Sequence, residues 1–213
     1  MDIQKEVLDI LKKTGAVVVD SHFVGTSGRH FAVYINKDAL YPHGQETSKI
    51  AKIFAGKAKD LGVEVVVGPA LGGIILAQWT AHELSAITGI DVMGVYTEKT
   101  EGGGQALKRG YDNLVKGKKV LIVEDLTTTG DSAKKVVEAV QAARGLVAAV
   151  SVMVNKSPQT VNAEFFGVPF LPLAELPVPN YEAAECPLCK SGVLINTTVG
   201  HGKKYLEAKG LLK

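Results

Sequence analysis

The fold is decided by residues 120–132, which read Val120-Leu121-Ile122-Val123-Glu124-Asp125-Leu126-Thr127-Thr128-Thr129-Gly130-Asp131-Ser132. The first four residues form an uninterrupted apolar run, which predicts a strand buried on both faces of a parallel sheet. Two acids follow it directly. Beyond the stretch, apolar residues recur at helical spacing, at Ala133, Val136, Val137 and Val140. The predicted order is therefore strand, acidic pair, hydroxyl-rich turn and helix, which is typical of an α/β fold.

The turn between this strand and this helix has the chemistry of a phosphate site. The first turn of a helix has unpaired N–H groups and a partial positive charge. Four hydroxyl side chains add donors, and Gly130 lets the backbone approach a ligand closely. The acids before the turn can accept hydrogen bonds from vicinal hydroxyls, or bind Mg²⁺ through water. Together, the two ends predict a sugar phosphate as ligand.

These thirteen residues resemble the phosphoribosyl-pyrophosphate signature of type I phosphoribosyltransferases. The resemblance implies the fold of that family, with a central, mostly parallel sheet flanked by helices and a small hood subdomain. It implies that Glu124 and Asp125 hold the ribose hydroxyls. The 5′-phosphate would be held by the residues that follow, namely Leu126, Thr127, Thr128, Thr129, Gly130, Asp131 and Ser132. The alternative interpretation is an ordinary strand-to-helix turn with an acidic start.

Length and composition limit the class of protein. The 213 residues are enough for one sizeable domain, which we expect to span residues 1–213. The net charge is +2 and the basic residues are scattered, so no nucleic-acid groove is expected. No apolar run reaches the roughly 20 residues of a membrane span, and the N-terminus does not resemble a signal peptide. Two cysteines suit a reducing cytoplasm better than a disulfide scaffold.

The N-terminal part predicts a helix over residues 2–13, a strand over 16–19 and a hairpin over 22–37 that turns at Ser27-Gly28. This hairpin resembles the hood segment of orotate phosphoribosyltransferases, which covers the base. The resemblance places Tyr34, Ile35 and Lys37 near the base or the ribose. They are equally compatible with ordinary strand residues and a solvated strand end. The hood would consist of about residues 15–40 with the C-terminal segment, and the core of about residues 45–175.

A second candidate anion site follows the predicted helix 45–61 and the predicted strand 63–67. It reads Gly68-Pro69-Ala70-Leu71-Gly72-Gly73 and leads into another helix. It resembles the pyrophosphate loop of the same family, which implies contacts from Ala70, Leu71, Gly72 and Gly73 and a strained peptide at Ala70–Leu71. Many orotate enzymes have lysines where this chain has Thr26 and Gly72, so two contacts are missing or replaced. A generic turn is the alternative.

A glycine-rich segment, residues 98–111, follows the predicted strand 91–97. Three consecutive glycines predict a mobile loop, and the charged residues beside them suit a lid over an anion. The loop occupies the place of the catalytic loop of the family, which implies that Lys99 is catalytic. Alternatively, Lys99 pairs with a surface acid. The glycines fit neither a P-loop nor the G-x-G-x-x-G pattern, which disfavours an NTPase and a dinucleotide enzyme.

The remaining signals lie in the C-terminal part. After a predicted strand over 146–154, Lys156 occupies the position of the arginine with which orotate enzymes contact the base carboxylate, and the resemblance adds Thr128 to the base site. A lysine lacks the bidentate fork of an arginine. Residues 170–173 predict an edge strand. Cys186 and Cys189 form half of a zinc motif, with His201 as a conceivable third ligand, and a structural or inert pair is expected.

The sequence therefore predicts a Mg²⁺-dependent phosphoribosyltransferase, most like the orotate enzymes of pyrimidine synthesis. Its substrates would be phosphoribosyl pyrophosphate and a nucleobase, with orotate as the expected base and Glu124, Asp125 and Lys99 as the catalytic residues. The magnesium would arrive with phosphoribosyl pyrophosphate, without direct protein ligands. The family implies a homodimer. A purine-type phosphoribosyltransferase and a non-catalytic regulator that binds phosphoribosyl pyrophosphate are the alternatives.

Overall fold

A computed structural model describes residues 2–25 and 27–212. Thr26, one of the two departures from the orotate pattern, lies outside the described residues. In chain order the elements are α1 (Ile3–Lys13), β1 (Val17–Val18), β2 (Phe23–Val24), β3 (His30–Phe31), β4 (Tyr34–Ile35), a 3₁₀ turn (Lys37–Ala39), α2 (Gly44–Ala58), β5 (Val65–Pro69), α3 (Gly72–Thr88), β6 (Met93–Lys99), β7 (Gln105–Ala106), α4 (Tyr111–Val115), β8 (Lys119–Thr127), α5 (Asp131–Ala142), β9 (Leu146–Asn155), α6 (Ala163–Phe166), β10 (Ala174–Glu175), β11 (Asn180–Tyr181), α7 (Pro187–Lys190) and α8 (Gly202–Ala208).

A six-stranded sheet forms the centre of the molecule, in the order β10-β9-β8-β5-β6-β7. All neighbours are parallel except β7, which runs antiparallel to β6. The predicted α/β class with a mostly parallel sheet flanked by helices is therefore confirmed. Because β5 and β8 are neighbours in this sheet, the glycine-rich loop and the acidic stretch leave it at the same edge.

The apolar run of β8 is explained by two separate packing layers. Leu121 and Val123 pack with α1, α2 and α3 on one face of the sheet. Val120 and Ile122 pack with α5 on the other face. Successive strand residues point to opposite faces, and both faces are covered, so every position in the run is apolar. Burying each such side chain contributes about 1.5–3 kcal/mol, which fixes the register of the strand that carries the acids.

A second layer covers one end of this sheet, and we call it the hood, meaning residues 17–35 and 180–205. It contains the antiparallel sheet β11-β3-β2 and the separate antiparallel pair β1-β4. The predicted turn is confirmed, since the Gly25 N–H donates to the Arg29 carbonyl at 2.9 Å. The predicted continuous second strand is wrong. It breaks after Phe31, and Tyr34–Ile35 pairs instead with Val17–Val18.

Two strand boundaries also differ from prediction. β8 continues through both acids to Thr127, because Glu124 and Leu126 still pair with β9. The edge strand expected at residues 170–173 is assigned at Ala174–Glu175, and Phe170 makes only an isolated bridge to β9. Among the described residues, no helix combines the length and the apolarity that crossing a bilayer requires.

Candidate active site

The two acids of β8 lie at the floor of a small polar cleft. Glu124 and Asp125 are both buried. Oε1 of Glu124 accepts a hydrogen bond from the Asp125 N–H at 3.0 Å, and Oδ1 of Asp125 accepts one from the Leu126 N–H at 2.7 Å. The cleft has a volume of about 180 Å³, and we call it the carboxylate cleft. It is lined by Lys37, Pro69, Ala70, Leu71, Gly72, Lys99, Gln105, Glu124, Asp125, Leu126 and Ser132.

Asp125 has two partners from the segment that follows the hood strands. Lys37 Nζ lies 2.8 Å from Oδ2 of Asp125, and the Tyr41 hydroxyl donates to the same oxygen at 3.0 Å. Burial has the largest single effect on Lys37 and opposes its charge, but the carboxylates of Asp125, Asp38 and Glu124 together outweigh it, so the pKa of Lys37 is raised. Burial, and then Asp125, raise the pKa of Tyr41, which therefore remains a donor at neutral pH. The sequence analysis missed Tyr41, because no local pattern marks it.

Glu124 is the more strongly perturbed acid. Burial raises the pKa of Glu124 well above its ordinary value, and repulsion from Asp125 adds to the effect. A carboxyl in this state takes up a proton more readily than a surface glutamate. The acid pair therefore changes its charge over a pH range in which surface carboxylates stay ionised.

The glycine-rich loop closes against the acid pair with almost no spare space. The Ala70–Leu71 peptide bond is cis. A Cβ on Gly72 would lie 2.7 Å from the Tyr41 hydroxyl and 3.0 Å from Lys37 Nζ, and closer still to Asp125. A Cβ on Gly73 would lie 2.6 Å from the Pro69 ring. The lysine that many orotate enzymes carry at position 72 has no room here, because the ammonium of Lys37 fills the space beside Asp125.

The hydroxyl-rich turn lies between two clefts. Ser132 lines the carboxylate cleft, while Thr128 and Thr129 line a neighbouring one. Gly130 has φ +81°, and a Cβ there would collide with the Phe165 ring, so glycine is required on both grounds. Asp131 begins α5 and is exposed. The turn and the start of α5 therefore contribute side chains to both clefts.

The neighbouring cleft lies under the hood and has a volume of about 420 Å³. We call it the hood cleft. The rings of Phe31 and Tyr34 stack at 6.4 Å, and Lys156 Nζ lies 6.0 Å from the centre of the Phe31 ring. Burial lowers the pKa of Lys156. The lining residues are Gly25, Ser27, Arg29, Phe31, Tyr34, Thr128, Thr129, Lys156, Ser157, Val178, Asn180 and His201.

Only some of the residues predicted to face the base lie in the same cleft. Tyr34, Thr128 and Lys156 line the hood cleft, as expected for one site. Ile35 is a core residue that is 5% exposed, and Lys37 lies in the carboxylate cleft. Phe31, Arg29, Asn180 and His201 also line the hood cleft and were not predicted. Phe31 and Tyr34 lie three positions apart, so this aromatic pair could have been found from the sequence. Nothing in the sequence marks Asn180 and His201 as part of the same cleft.

The segment predicted to be a mobile loop is a short hairpin. Lys99, at the end of β6, is exposed and stands opposite Gln105 of β7. The tip of the hairpin is held by Lys135, whose Nζ donates to the Gly103 carbonyl at 2.7 Å. The two ends of the segment are joined by an ion pair, in which Arg109 Nε lies 2.8 Å from Glu98. Within residues 2–25 and 27–212, Lys99 makes no ion pair, which disfavours the surface-pair alternative.

Beside Lys99, one buried polar atom lacks a partner. Oε1 of Gln105 is buried without a hydrogen-bond partner in the described part of the chain, and Gln105 lines the carboxylate cleft. A buried acceptor that is left unpaired costs about 1–3 kcal/mol. A ligand hydroxyl or water in the cleft would remove that cost.

Comparison with known proteins identifies the family of the chain. The family model for the phosphoribosyl transferase domain matches residues 36–166, which is more than half of the chain and includes both the loop and the acid pair. The chain belongs to the phosphoribosyltransferase family. A groove of about 660 Å³ between α1 and α2 contains none of the residues predicted from this resemblance.

Several similar members of the phosphoribosyltransferase family share an activity in their names. The orotate phosphoribosyltransferase of Thermoanaerobacter sp. (strain X514) is 38% identical over 190 residues, covering 89% of this chain and 94% of the relative. That of Thermotoga maritima is 37% identical over 188 residues, covering 88% and 94%. The crystal structure of Mycobacterium tuberculosis H37Rv orotate phosphoribosyltransferase in complex with Fe(III) dicitrate has a TM-score of 0.64 at 25% identity, covering 83% of this chain and 97% of that one.

Proposed function

We propose that this phosphoribosyltransferase is an orotate phosphoribosyltransferase of pyrimidine biosynthesis. It joins orotate to the ribose of phosphoribosyl pyrophosphate, giving orotidine 5′-phosphate and pyrophosphate. The observation that carries the proposal is the buried acid pair at the floor of a polar cleft, between the glycine-rich loop and the start of α5. The identity of 38% to an orotate enzyme over 89% of the chain supports the choice of base.

In this proposal the sugar phosphate extends from the acid pair to the hydroxyl-rich turn. Glu124 and Asp125 accept hydrogen bonds from the ribose hydroxyls, and the turn from Thr127 to Ser132 donates to the 5′-phosphate through its hydroxyls and the N–H groups at the start of α5. Lys37 and Tyr41 hold the Asp125 carboxylate in place from the side. The unpaired Gln105 acceptor offers a further hydrogen bond to the ligand.

Magnesium fits this site as a partner of the substrate. Mg²⁺ prefers oxygen ligands and usually keeps several waters. Glu124 and Asp125 both line the cleft, and they would hold the ion through water while substrate oxygens complete its shell. When bound, the ion lowers the cost of the negative charge that develops on pyrophosphate. Two carboxylates are too few for a protein-only cage, so we propose that magnesium arrives with the substrate.

The leaving pyrophosphate meets cations and backbone donors. Lys99 and Lys37 line the carboxylate cleft together with Ala70, Leu71 and Gly72 of the glycine-rich loop. A transition state with oxocarbenium character needs the ribose and the leaving group to be held in line, and it needs the leaving charge to be balanced. The exposed Lys99 on the β6–β7 hairpin is placed to supply that charge. The hairpin also shields the reacting carbon from water.

The base occupies the hood cleft. A flat, anionic pyrimidine suits the stacked rings of Phe31 and Tyr34, with the ammonium of Lys156 near its carboxylate. Thr128 lines the cleft from the sugar side. Ile35 acts through packing only, and Lys37 serves the sugar end. We further propose a single domain over residues 1–213, a homodimer and a cytoplasmic location, as the family implies.

A panel of bases tests the assignment. Orotate, hypoxanthine and adenine are each mixed with the protein, phosphoribosyl pyrophosphate and Mg²⁺, and pyrophosphate release is followed. Release with orotate alone is expected. Release with a purine would move the assignment to a purine enzyme, and ligand binding without release would indicate a regulator. Lys156→Ala serves as the matched variant, since it should lower the rate with orotate while phosphoribosyl-pyrophosphate affinity stays near that of the parent.

A further inference from the structure

Four side chains with metal-binding atoms converge inside the hood. The ligand atoms of His22, His30, Cys186 and Cys189 all lie within 4.8 Å of one another. Both histidines and Cys186 are buried, whereas Cys189 reaches the surface. Both cysteines are free thiols. The sequence analysis found only the cysteine half of this cluster, because the histidines lie more than 150 residues earlier in the chain.

The hydrogen bonds of His22 orient it as a ligand. Its Nδ1 lies 2.8 Å from the carbonyl oxygen of Val193, which can only accept a hydrogen bond. Nδ1 therefore carries the proton, and Nε2 presents a lone pair to the cluster. Metal-binding histidines usually donate their other N–H to a carbonyl or carboxylate in this way.

One of the two ring nitrogens of His30 has no hydrogen-bond partner among the described residues. The Nδ1 of His30 lies 2.7 Å from Nε2 of His22, and the unpaired nitrogen of His30 is its buried Nε2. If the two imidazoles share a hydrogen bond, the lone pair on Nε2 of His30 is left unpaired. A cation between the rings instead receives one lone pair from Nε2 of His22 and one from Nδ1 of His30, which replaces the short contact between the two nitrogens. Nε2 of His30 then carries the proton and has no partner among the described residues in either arrangement, so the proposal does not rest on that atom.

The spacing of the cluster is close to that of a tetrahedral zinc site. Zinc bonds of about 2.0–2.1 Å to nitrogen and about 2.3 Å to sulfur require ligand atoms about 3.3–3.8 Å apart. Cys186 Sγ lies 3.6 Å from Nε2 of His22, and Cys189 Sγ lies 3.8 Å from it and 3.4 Å from Nδ1 of His30. Of these four separations, only that between the two nitrogens, at 2.7 Å, must increase, by about 0.6 Å, to receive the ion.

We propose that His22, His30, Cys186 and Cys189 bind one structural Zn²⁺ ion. Two thiolates with two imidazoles form a soft, tetrahedral ligand set that selects zinc over magnesium or calcium, which prefer oxygen. Four protein ligands leave no open position, so the ion is structural and takes no part in group transfer. This site is separate from the magnesium that accompanies the substrate.

The site would fasten the C-terminal segment to the hood. His22 bridges to Ile195, the Asn196 N–H donates to the His22 carbonyl at 2.7 Å, and the His201 N–H donates to the Val24 carbonyl at 2.9 Å. β11 pairs with β3 beside them. Asn180 and His201 from this segment line the hood cleft. The ion therefore holds in place the wall of the cleft that receives the base.

Metal analysis of the full chain tests the proposal. Protein purified without chelators is expected to contain one zinc per chain by elemental mass spectrometry. After removal of the metal and addition of Co²⁺, the protein should show the strong visible bands of tetrahedral cobalt and a thiolate-to-cobalt charge-transfer band. Cys189→Ser is the chosen variant because Cys189 lies at the surface and its loss should least disturb the fold. It should lose the charge-transfer intensity of one thiolate and bind zinc more weakly. The exposed His82→Asn is the matched control and should keep both properties.

A stability measurement keeps the test informative if a variant folds poorly. A ligand that binds only the folded state raises stability with its concentration, so the Tm of the metal-free parent should rise as Zn²⁺ is added. Mg²⁺ at the same concentration should not reproduce the rise. The proposal is overturned if the parent contains no zinc and shows no cobalt bands, if Cys186 and Cys189 prove to be joined as a disulfide, or if Cys189→Ser keeps the cobalt spectrum of the parent.

Discussion

Replacing Gly72 with alanine tests whether the acid pair and the glycine-rich loop form one binding surface. The added Cβ would lie 2.7 Å from the Tyr41 hydroxyl, 3.0 Å from Lys37 Nζ and closer still to Asp125, and real Cβ atoms essentially never approach other atoms below 3.0 Å. Position 72 is the first residue of α3, so the backbone there cannot easily retreat. The Asp125 carboxylate and its two partners must move instead.

The expected loss can be estimated from those contacts. A displaced Asp125 no longer meets the ribose, and one hydrogen bond to a charged group is worth about 1.5–3 kcal/mol. The dissociation constant of phosphoribosyl pyrophosphate should therefore rise about 10- to 150-fold. The fold should lose only about 1 kcal/mol or less through the Lys37–Asp125 pair, since the Lys37 side chain is 34% exposed and partly screened.

Calorimetric titration with phosphoribosyl pyrophosphate and Mg²⁺, together with thermal unfolding, measures both effects. Gly44→Ala is the matched control, because Gly44 is the first residue of α2 and a Cβ there meets nothing within 4 Å. The control should bind like the parent. If Gly72→Ala binds within about twofold of Gly44→Ala, the loop and the acids do not act on one ligand, and the reasoning is refuted.

Three further predictions concern the same cleft. Asp125→Asn should weaken phosphoribosyl-pyrophosphate binding by about 1.5–3 kcal/mol in calorimetry with little change in Tm, and unchanged affinity would contradict the ribose role. Lys99→Ala should lower kcat by about 100-fold or more, while affinity changes far less; an unaltered kcat would remove Lys99 from the mechanism. The raised pKa of Glu124 predicts two opposite trends with pH. Below the ordinary glutamate pKa, protonated Glu124 makes its full contribution to the stability of the fold, and this contribution is lost as pH rises through the raised pKa. Affinity for the sugar should increase over the same pH range, because the carboxylate forms there. Unfolding and titration experiments across pH should show both trends in the parent and neither in Glu124→Gln; parallel curves for the two proteins would refute the assignment.

The sequence was most informative where function and fold use the same short segment. The apolar run, the two acids and the hydroxyl-rich turn are contiguous, so periodicity alone indicated a strand, a turn and a helix start. The end of the strand was placed too early, because charged residues rarely continue a buried strand, yet here Glu124 still pairs with β9. Local propensity could not reveal that both acids are buried, or that they lie at the floor of a cleft beside β9.

The sequence was least informative where residues distant along the chain meet. Tyr41 reaches Asp125 across 84 positions, and His22 approaches Cys186 across 164. Neither contact leaves a local spacing. The resemblance placed Lys37 near the base or the ribose without deciding between them; the second strand breaks after Phe31, and Lys37 lies beside Asp125.

The pairing of β3 with β11 has a consequence for synthesis on the ribosome. The strands are joined by about 150 residues of intervening chain, and the central sheet lies almost entirely between them. Since chains emerge at about 5–20 residues per second and the earlier parts begin to fold first, the early strands of the hood wait several seconds for their partner. A polypeptide released before residue 180 would already possess the acids, the glycine-rich loop and the hydroxyl-rich turn. It would lack the wall of the hood cleft that the C-terminal segment provides, and Phe31 and Tyr34 would be open to solvent.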